Sequence, residues 1–352
     1  MKLRLASTAA LLAMALTGPA HALNILLCND DGFTAANLRA LQQRLKAAGH
    51  AVIVSAPVDN QSGRGGYMSF LTPIPKIPAT YTDMYSLSGT PVTPRAVKVY
   101  PELVGKTGVG DDPTDADVSY VWGSPVMACL YGMDVKAPKK FGGLPDLMIS
   151  GPNEGNNTGH INVSSGTVNN LFYGINRQVP SIGVSDADTT YAEHTALSAS
   201  SRAYEVADIV VRLVKTLVDN KAQAGGRLMP EGVGLNVNVP LFEAGKGSAL
   251  PYVMTRMGKA TAYAPAFYED LGKSPAAAGR IPAGAGLMGV GLTTAGSTLP
   301  SGVVIPADTD ASSEGNVVTA KTGVAVSVVE GVPDARRSFV EAMKLKLGTL
   351  AK

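Results

Sequence analysis

Charged residues are scarce in this sequence, since Asp, Glu, Lys and Arg make up 16% of it and the formal net charge is only +2. This balance excludes a basic nucleic-acid-binding surface and an acidic solvating tail, and it favours a small-molecule substrate. Cysteine is rarer still: Cys28 and Cys129 are the only two, too few for a disulfide framework. In an oxidising compartment the two could pair, although Cys28 lies in an apolar strand pattern and could equally be a buried free thiol.

The one long apolar run near the beginning of the chain predicts a secretory signal peptide. Met-Lys-Leu-Arg is followed by an apolar stretch from Leu5 to Leu16 and by a small-residue cleavage signal that ends at Ala22. This stretch is shorter than the roughly 20 apolar residues of a transmembrane helix, and no later stretch resembles a membrane span. We therefore expect cleavage after Ala22 and a periplasmic or secreted protein without a membrane partner.

The next segment alternates strand and helix patterns. An apolar run from Leu23 to Cys28 predicts a buried strand, the spacing of Leu38, Leu41 and Leu45 predicts a helix capped by Thr34, and residues 51–57 predict a second strand. A strand, helix and strand in this order form a βαβ unit with a parallel sheet, whose ligands collect at the carboxyl ends of the strands. The fold class predicted is thus α/β and doubly wound.

Further along the chain, ordered patterns alternate with loop-rich ones. Residues 73–117 are rich in Pro, Gly, Thr and Asp and predict loops and short strands. We divide the chain into a signal peptide at 1–22, a core at 23–240 and a C-terminal arm or small subdomain with a closing helix at 241–352. More strands are predicted at 146–150, 181–185, 234–240 and 324–329, and more helices at 126–133, 165–175, 196–217 and 333–350.

Polar residues follow three of the predicted strands and are candidates for a metal site. Asp30 and Asp31 end the first strand, and two adjacent carboxylates cannot both enter the core unpaired. With no Cys/His cluster nearby, their oxygens favour Mg²⁺, Mn²⁺ or Ca²⁺ over zinc. Ser62 follows the second strand and offers a neutral oxygen to the same ion. Alternatively, the Asp-Asp-Gly and Asn-Gln-Ser-Gly stretches are ordinary turns.

Two later loops add neutral ligands and an anion site. Asn153 follows a third apolar strand, with Asn156 and Asn157 close behind; an Asn oxygen binds a metal without reducing its charge, although a Gly/Asn loop also simply tolerates left-handed backbone. The Ser165–Thr167 stretch begins a helix, whose free N–H groups and dipole favour an anion such as phosphate. The alternative there is plain helix capping.

The order and spacing of these motifs over roughly Leu23 to Pro240 resemble the SurE family of survival proteins, which are 5′/3′-nucleotidases and acid phosphatases. The segments that carry the resemblance are Ile25–Gly32, Ser55–Pro57 with Asn60–Gly63, Pro145–Gly159, Ser165–Val168, Val179–Ser185 and Asn236–Pro240.

Carried over to this chain, the resemblance implies a site and an assembly. One divalent cation per subunit, Mg²⁺ or Mn²⁺, would be held by Asp30, Asp31, Ser62 and Asn153. The phosphate would be bound by Asn157, Ser165, Gly166 and Thr167. The implied fold is a Rossmann-like three-layer core with a C-terminal segment that exchanges between subunits, and hence a homodimer or homotetramer.

The chain also departs from the family pattern. The family's Gly-Thr-Pro-x-Asp-Cys stretch corresponds best to residues 123–128, which places Met127 where Asp is expected, while Ser88–Pro91 is a competing match. After Pro240 only Arg256 and Thr309-Asp310 suggest counterparts.

The resemblance implies hydrolysis of nucleoside 5′-monophosphates, and of 3′-monophosphates as a further possibility, to nucleoside and phosphate. Asp30 or Asp31 would act as base or nucleophile, and the sequence does not choose between these roles. His160 could protonate the leaving alkoxide or be a bystander. The rival interpretations are a non-catalytic exported protein that binds nucleotide or phosphate, and a family member inactivated by Met127.

Overall fold

A computed structural model describes residues 22–82, 90–258, 263–277, 281–294, 296–299, 302–305, 307–331 and 337–347. Of the predicted signal peptide only Ala22 is described, so that peptide stays a prediction; Ser88 and Gly89 of the competing match also lie outside the described residues. Within the described ranges, no helix has the length and apolar content needed to cross a bilayer.

Strands and helices alternate through the first two thirds of the chain. In chain order they are β1 (Asn24–Cys28), α1 (Ala36–Ala47), β2 (Ala51–Pro57), α2 (Arg95–Val99), β3 (Val109–Asp112), β4 (Asp115–Val121), α3 (Pro125–Tyr131), α4 (Ala137–Phe141), β5 (Leu147–Glu154), α5 (Gly166–Asn176), β6 (Ser181–Asp186), α6 (Arg202–Asp219) and β7 (Val233–Val239).

The last third contributes fewer elements. They are β8 (Tyr252–Thr255), β9 (Ala264–Tyr268), β10 (Gly289–Thr293), α7 (Glu314–Thr319), β11 (Val324–Glu330) and α8 (Arg337–Leu347). Strands β9 and β10 form a separate antiparallel pair, whereas β8 and β11 join the main sheet. The main sheet thus continues with strands that follow residue 240.

The main sheet has nine strands in the order β3-β4-β2-β1-β5-β6-β7-β11-β8. All neighbouring pairs run parallel except β3 with β4 and β7 with β11. This arrangement confirms the predicted mostly parallel α/β fold. From β1 the chain builds the sheet first toward β2 and β4 and later toward β5, β6 and β7, so the order reverses at β1. Ligand sites of doubly wound sheets lie at the carboxyl ends of strands around such a reversal.

Apolar side chains cover both faces of the central strands. Leu38 and Leu41 of α1 and Val206 of α6 are fully buried against one face. On the other face Leu26 and Met148 pack with residues of α3 and the turn that follows it. Strands buried on both sides consist of continuous apolar runs, which explains why β1, β2 and β5 were recognisable in the sequence.

A disulfide joins Cys28 at the end of β1 to Cys129 of α3, with 5.4 Å between the two Cα atoms. Both residues are fully buried. The structure therefore selects pairing over the alternative of a buried free thiol. The bond fixes the end of the central strand to the helix layer directly before Asn29 and the two aspartates.

Several elements differ from the predictions, among them β5, which continues to Glu154 instead of ending at residue 150. Helix α1 begins at Ala36 and Ala35 takes the cap position, so the predicted cap by Thr34 is wrong. Tertiary backbone contacts replace the cap: the Ala36 N–H donates to the Ala192 carbonyl, and the Thr34 carbonyl accepts from the His194 N–H. Helix α6 starts at Arg202 instead of residue 196, and residues 73–117 contain α2, β3 and the start of β4.

Candidate metal and phosphate site

Asp30 and Asp31 lie at the carboxyl end of β1 and are almost inaccessible, with 2% and 1% of their surface exposed. Gly32 follows with φ of +112°, a left-handed conformation that turns the chain toward β2. The carbonyl of Asp30 accepts a hydrogen bond from the N–H of Gln61 at 2.8 Å. The loop after β1 is thereby attached to the loop after β2, as the parallel sheet predicts.

The carboxylate of Asp30 joins three of the predicted site residues. Its Oδ1 accepts a hydrogen bond from the Thr167 hydroxyl at 2.8 Å, and its Oδ2 accepts one from the Ser62 hydroxyl at 3.4 Å. A Cβ atom placed on Gly166 would lie 2.7 Å from the Cβ of Asp30, so only glycine fits at this first helical position. Asp30, Ser62, Gly166 and Thr167 therefore come together.

The carboxylate of Asp31 faces the end of β5. Its Oδ2 accepts hydrogen bonds from the backbone N–H of Glu154 at 3.0 Å and from the Asn29 side-chain amide at 3.4 Å. Its Oδ1 is buried and has no hydrogen-bond partner. A buried carboxylate oxygen without a donor is costly, which suggests that a cation belongs there.

Asn153 precedes Glu154 on β5 and is 7% exposed. Its amide nitrogen donates to the Gly155 carbonyl at 2.6 Å, while its Oδ1 is buried without a partner. Two of the four predicted metal ligands, Asp31 and Asn153, thus carry an unsatisfied oxygen, and oxygen is the donor that Mg²⁺ and Mn²⁺ prefer. The residues present fit a hard divalent cation.

No group of three or more His, Cys, Asp or Glu residues suited to metal binding occurs in the described part of the chain. The predicted set does not need one, because it combines two carboxylates with a serine and an asparagine.

The electrostatics of the two aspartates agree with a cation site. Burial raises the pKa of Asp31 well above its ordinary value of 3.8, and the nearby charges of Glu154 and Asp30 raise it further. Burial also raises the pKa of Asp30, against the hydrogen bonds from Thr167 and Ser62, which lower it. Like charges that are buried together disfavour ionisation, and a divalent cation would reverse that effect.

The sequence analysis did not identify Arg95, a buried arginine next to the site. Arg95 of α2 binds both carboxylate oxygens of Glu154, at 2.9 and 3.0 Å, and donates to the Asp31 carbonyl at 3.1 Å. Its Nε pairs with Glu193. Arg95 is the first residue of a five-residue helix that shows no periodicity in the sequence. The preceding Pro94 is the only local signal of that helix.

At the start of α5 the capping interpretation is confirmed. The Ser165 hydroxyl accepts a hydrogen bond from the Val168 N–H at 3.1 Å, and Ser165 has the extended backbone of an N-cap. The hydroxyl of Thr167 is directed to Asp30. The positive end of this 11-residue helix therefore points at the aspartate loop, where it favours an anion.

The remaining candidates lie on the loop after β5. Asn157 is buried, and its amide nitrogen donates to the Ser185 hydroxyl at 2.8 Å while its backbone N–H donates to Asn238 at 2.9 Å. Its amide thus contacts β6 and β7 directly, and its role toward phosphate stays a prediction. His160 is exposed on a single 3₁₀ turn, Gly159–Val163. Its role as an acid also stays a prediction.

The C-terminal segment forms hydrogen bonds with the loop that follows β5. The carboxylate of Glu314, fully buried at the start of α7, accepts hydrogen bonds from the Gly159 N–H at 2.8 Å and from the side chains of Asn162 and Asn236. The suggested counterparts after Pro240 also meet, since Arg256 forms an ion pair with Asp310 at 2.6 Å.

Known proteins and a known family are similar to this chain in sequence. A family model described as "Survival protein SurE" matches residues 25–264. The chain is 32% identical to a 5′-nucleotidase SurE of Methanocella arvoryzae over 240 residues, which are 67% of this chain and 72% of that protein. It is 33% identical over 220 residues to an acid phosphatase of Yarrowia lipolytica; the match spans 62% of this chain but only 56% of the yeast protein.

The fold has a similar solved counterpart. The crystal structure of the SurE protein from Aquifex aeolicus superimposes with a TM-score of 0.58 at 22% sequence identity, and the alignment covers 92% of this chain and 98% of that one. At this identity the likeness concerns the fold alone.

Proposed function

Because this chain belongs to the survival protein SurE family, we propose that it is a metal-dependent phosphomonoesterase that hydrolyses nucleoside 5′-monophosphates to nucleoside and phosphate. Cleavage of 3′-monophosphates is a further activity to be tested. The observation that carries the proposal is the pair of buried, unpartnered oxygens on Asp31 and Asn153, two residues at strand ends.

The proposed ligands of one Mg²⁺ or Mn²⁺ per subunit are Asp30, Asp31, Ser62 and Asn153. When bound, the cation would neutralise charge on the phosphate and lower the pKa of a water molecule. The chain's own contribution is positioning: Thr167 and Ser62 hold the Asp30 carboxylate, and the Glu154 N–H holds that of Asp31. The N–H groups at the start of α5, with Gly166 against Asp30, offer hydrogen bonds to phosphate oxygens.

Either aspartate is a candidate base or nucleophile, and His160 is a candidate acid for the leaving alkoxide. The contacts on Asp30 and Asp31 differ in a way that bears on this choice. Both oxygens of Asp30 already accept hydrogen bonds, whereas Oδ1 of Asp31 accepts none. Of the two aspartates, Asp31 is accordingly the one with a carboxylate oxygen that no donor occupies.

We further propose that the protein is exported and acts as a homodimer or homotetramer. The pattern of residues 1–22 supports export, and the Cys28–Cys129 disulfide fits an oxidising compartment.

The test measures phosphate release from AMP, 3′-AMP and p-nitrophenyl phosphate with Mn²⁺, Mg²⁺ or EDTA. We expect activity that depends on the metal and falls at least about 100-fold in Asp31→Ala and Asn153→Ala. Asp208→Ala is the control, because Asp208 is 54% exposed and pairs with Arg44 on the surface. Activity that neither EDTA nor Asp31→Ala changes would contradict the metal site.

Two other outcomes would favour the rival interpretations. Tight nucleotide binding without turnover would favour a non-catalytic binding protein. Recovery of activity in Met127→Asp would show that Met127 had inactivated the chain.

A further inference from the structure

A cavity of about 180 Å³ opens beside the loop that carries Ser62. Gln61 lines it, and the same residue donates its N–H to the Asp30 carbonyl. Trp122 lines it from the other side and directly follows β4, so it lies at the carboxyl end of the parallel strands, as the aspartates do. The cavity is therefore a neighbour of the proposed phosphate site.

Three of the residues that line the cavity are aromatic, and hydrogen bonds hold two of the segments that carry them. Tyr81 and Trp122 meet edge to face, with ring centroids 5.0 Å apart and planes at 86°. The Tyr81 hydroxyl donates to Asp59 at 2.7 Å, and the Ser124 hydroxyl donates to the backbone carbonyl of Tyr67, the third aromatic residue, at 2.5 Å. The rings of Tyr81 and Trp122 are thus held in place before any ligand arrives, which favours binding of a flat partner.

Arg64 and Met127 also line the cavity, one with a positive charge and the other with a thioether. The Arg64 guanidinium lies 5.8 Å from the centroid of the Tyr67 ring, and its Nε is buried without a hydrogen-bond partner. A guanidinium in the wall of the cavity attracts the face of an aromatic ring. Met127 lines the cavity where the family pattern predicts aspartate, and a thioether packs well against aromatic rings whereas a carboxylate would require a partner.

The size of the cavity limits what it can hold. Pockets for drug-sized ligands measure roughly 300–1,000 Å³, so this one accommodates a single ring system and not a whole nucleotide. A phosphomonoester whose phosphate lies against Asp30 would extend its leaving group toward this wall.

We propose that the cavity lined by Tyr67, Tyr81, Trp122 and Met127 binds the planar aromatic ring of the leaving group, either a nucleobase or an aryl ring. The proposal rests on the phosphatase function above, and it makes this cavity the part of the enzyme that selects among phosphomonoesters.

Kinetics with substrates that share the phosphate but differ in the ring test the proposal. We compare kcat/KM for AMP, p-nitrophenyl phosphate and the aliphatic β-glycerophosphate. In Trp122→Ala and Tyr67→Ala, the ratio of kcat/KM for a ring substrate to that for β-glycerophosphate should fall at least about fivefold, as expected for lost base stacking. A fall for AMP alone identifies a nucleobase site, and a fall for p-nitrophenyl phosphate alone identifies an aryl site.

A matched control comes from the C-terminal segment. Tyr263 is 54% exposed, as is Tyr67, but it does not line the cavity. Tyr263→Ala should leave the ratio at its wild-type value. Ratios that stay unchanged in both cavity variants, or that fall equally in Tyr263→Ala, would overturn the proposal.

A second measurement needs neither a variant nor turnover. Trp122 is the only tryptophan of the chain, so its fluorescence reports on the cavity directly. Adenosine or phenol should change its emission saturably, ribose should not, and Tyr67→Ala should weaken the effect at least about fivefold.

The two experiments separate this proposal from the proposed function. Ring-dependent fluorescence without any hydrolysis would refute the phosphatase and keep the ring site. Metal-dependent hydrolysis without ring dependence in either experiment would keep the phosphatase and refute the ring site.

Discussion

Thr167 donates its hydroxyl hydrogen to Oδ1 of Asp30 over 2.8 Å, although 137 positions separate the two residues in the sequence. Both are buried. The contact connects the first turn of α5 to the loop after β1, and so connects the proposed phosphate-binding and cation-binding parts of the site.

Thr167→Val should lower kcat/KM about tenfold, because it keeps the shape of the side chain but leaves Oδ1 of Asp30 without its donor. A buried acceptor left unsatisfied costs about 1–3 kcal/mol, enough for that change. Thr167→Ser retains the hydroxyl and should keep most of the activity. Steady-state kinetics at saturating Mn²⁺ check this. Equal losses in the Val and Ser variants would show that the hydrogen bond is not what matters.

Asp31→Asn should weaken Mn²⁺ binding by about 100-fold, as measured by calorimetry, because the site loses a charged ligand. The same change should raise the Tm of the metal-free protein by about 2 °C, since it removes one of several like charges buried together. A lower Tm of this variant in EDTA would contradict this account of the carboxylates.

The free energy of unfolding of the metal-free protein should decrease as pH rises from 3.8 through the raised pKa of Asp31. In that range the native state holds a proton that the unfolded chain has released, so each step up in pH favours unfolding. Urea unfolding in EDTA at several pH values measures this, and Asp31→Asn should flatten the dependence. The difference in unfolding free energy between the wild type and Asp31→Asn isolates the contribution of Asp31. If that difference increased with pH, the raised pKa of Asp31 would be refuted.

Arg95→Met should destabilise the protein by about 3–5 kcal/mol, because Glu154 would keep its buried charge without a partner. Adding Glu154→Gln should recover part of that loss. Arg227→Ala is the control, since its ion pair with Glu231 is exposed and is worth at most about 1 kcal/mol. Denaturant unfolding measures the free energy of unfolding of each variant. An Arg95→Met variant as stable as the wild type would show that the ion pair contributes little.

Removing the disulfide with the Cys28→Ala, Cys129→Ala double variant should lower stability by about 2–4 kcal/mol, because the bond closes a loop of 101 residues in the unfolded chain. The Tm of the wild type should fall similarly in a strong reductant, while that of the variant should not respond. Two titratable thiols in the untreated, unfolded wild type would instead show that the bond does not form.

The central strands and the site loops were predictable because each depends on local chemistry. Buried parallel strands need continuous apolar runs, and polar residues at or after the carboxyl ends of β1, β2 and β5 lie at one edge of the sheet. The pattern therefore predicted that Asp30, Asp31, Ser62 and Asn153 share one edge of the sheet. The structure adds the contacts, from the Ser62 hydroxyl to Asp30 and from the Glu154 N–H to Asp31.

The features that were missed depend on contacts between distant segments. Arg95 belongs to a five-residue helix that has no periodicity of its own, and its partners Glu154 and Glu193 come from two other loops. The same holds for Thr34, whose expected capping role is replaced by backbone bonds to the segment at 192–194. Local propensity cannot show either contact.

The position of β11 in the sheet affects how the chain can fold during its synthesis. This strand, at residues 324–330, lies between β7 and β8, so neither of them has its final neighbour until those residues have left the ribosome. The exposed edge of β7 must meanwhile be protected from pairing with other chains. A ribosome stalled before residue 324 would therefore carry a nascent chain whose sheet is incomplete and prone to aggregate.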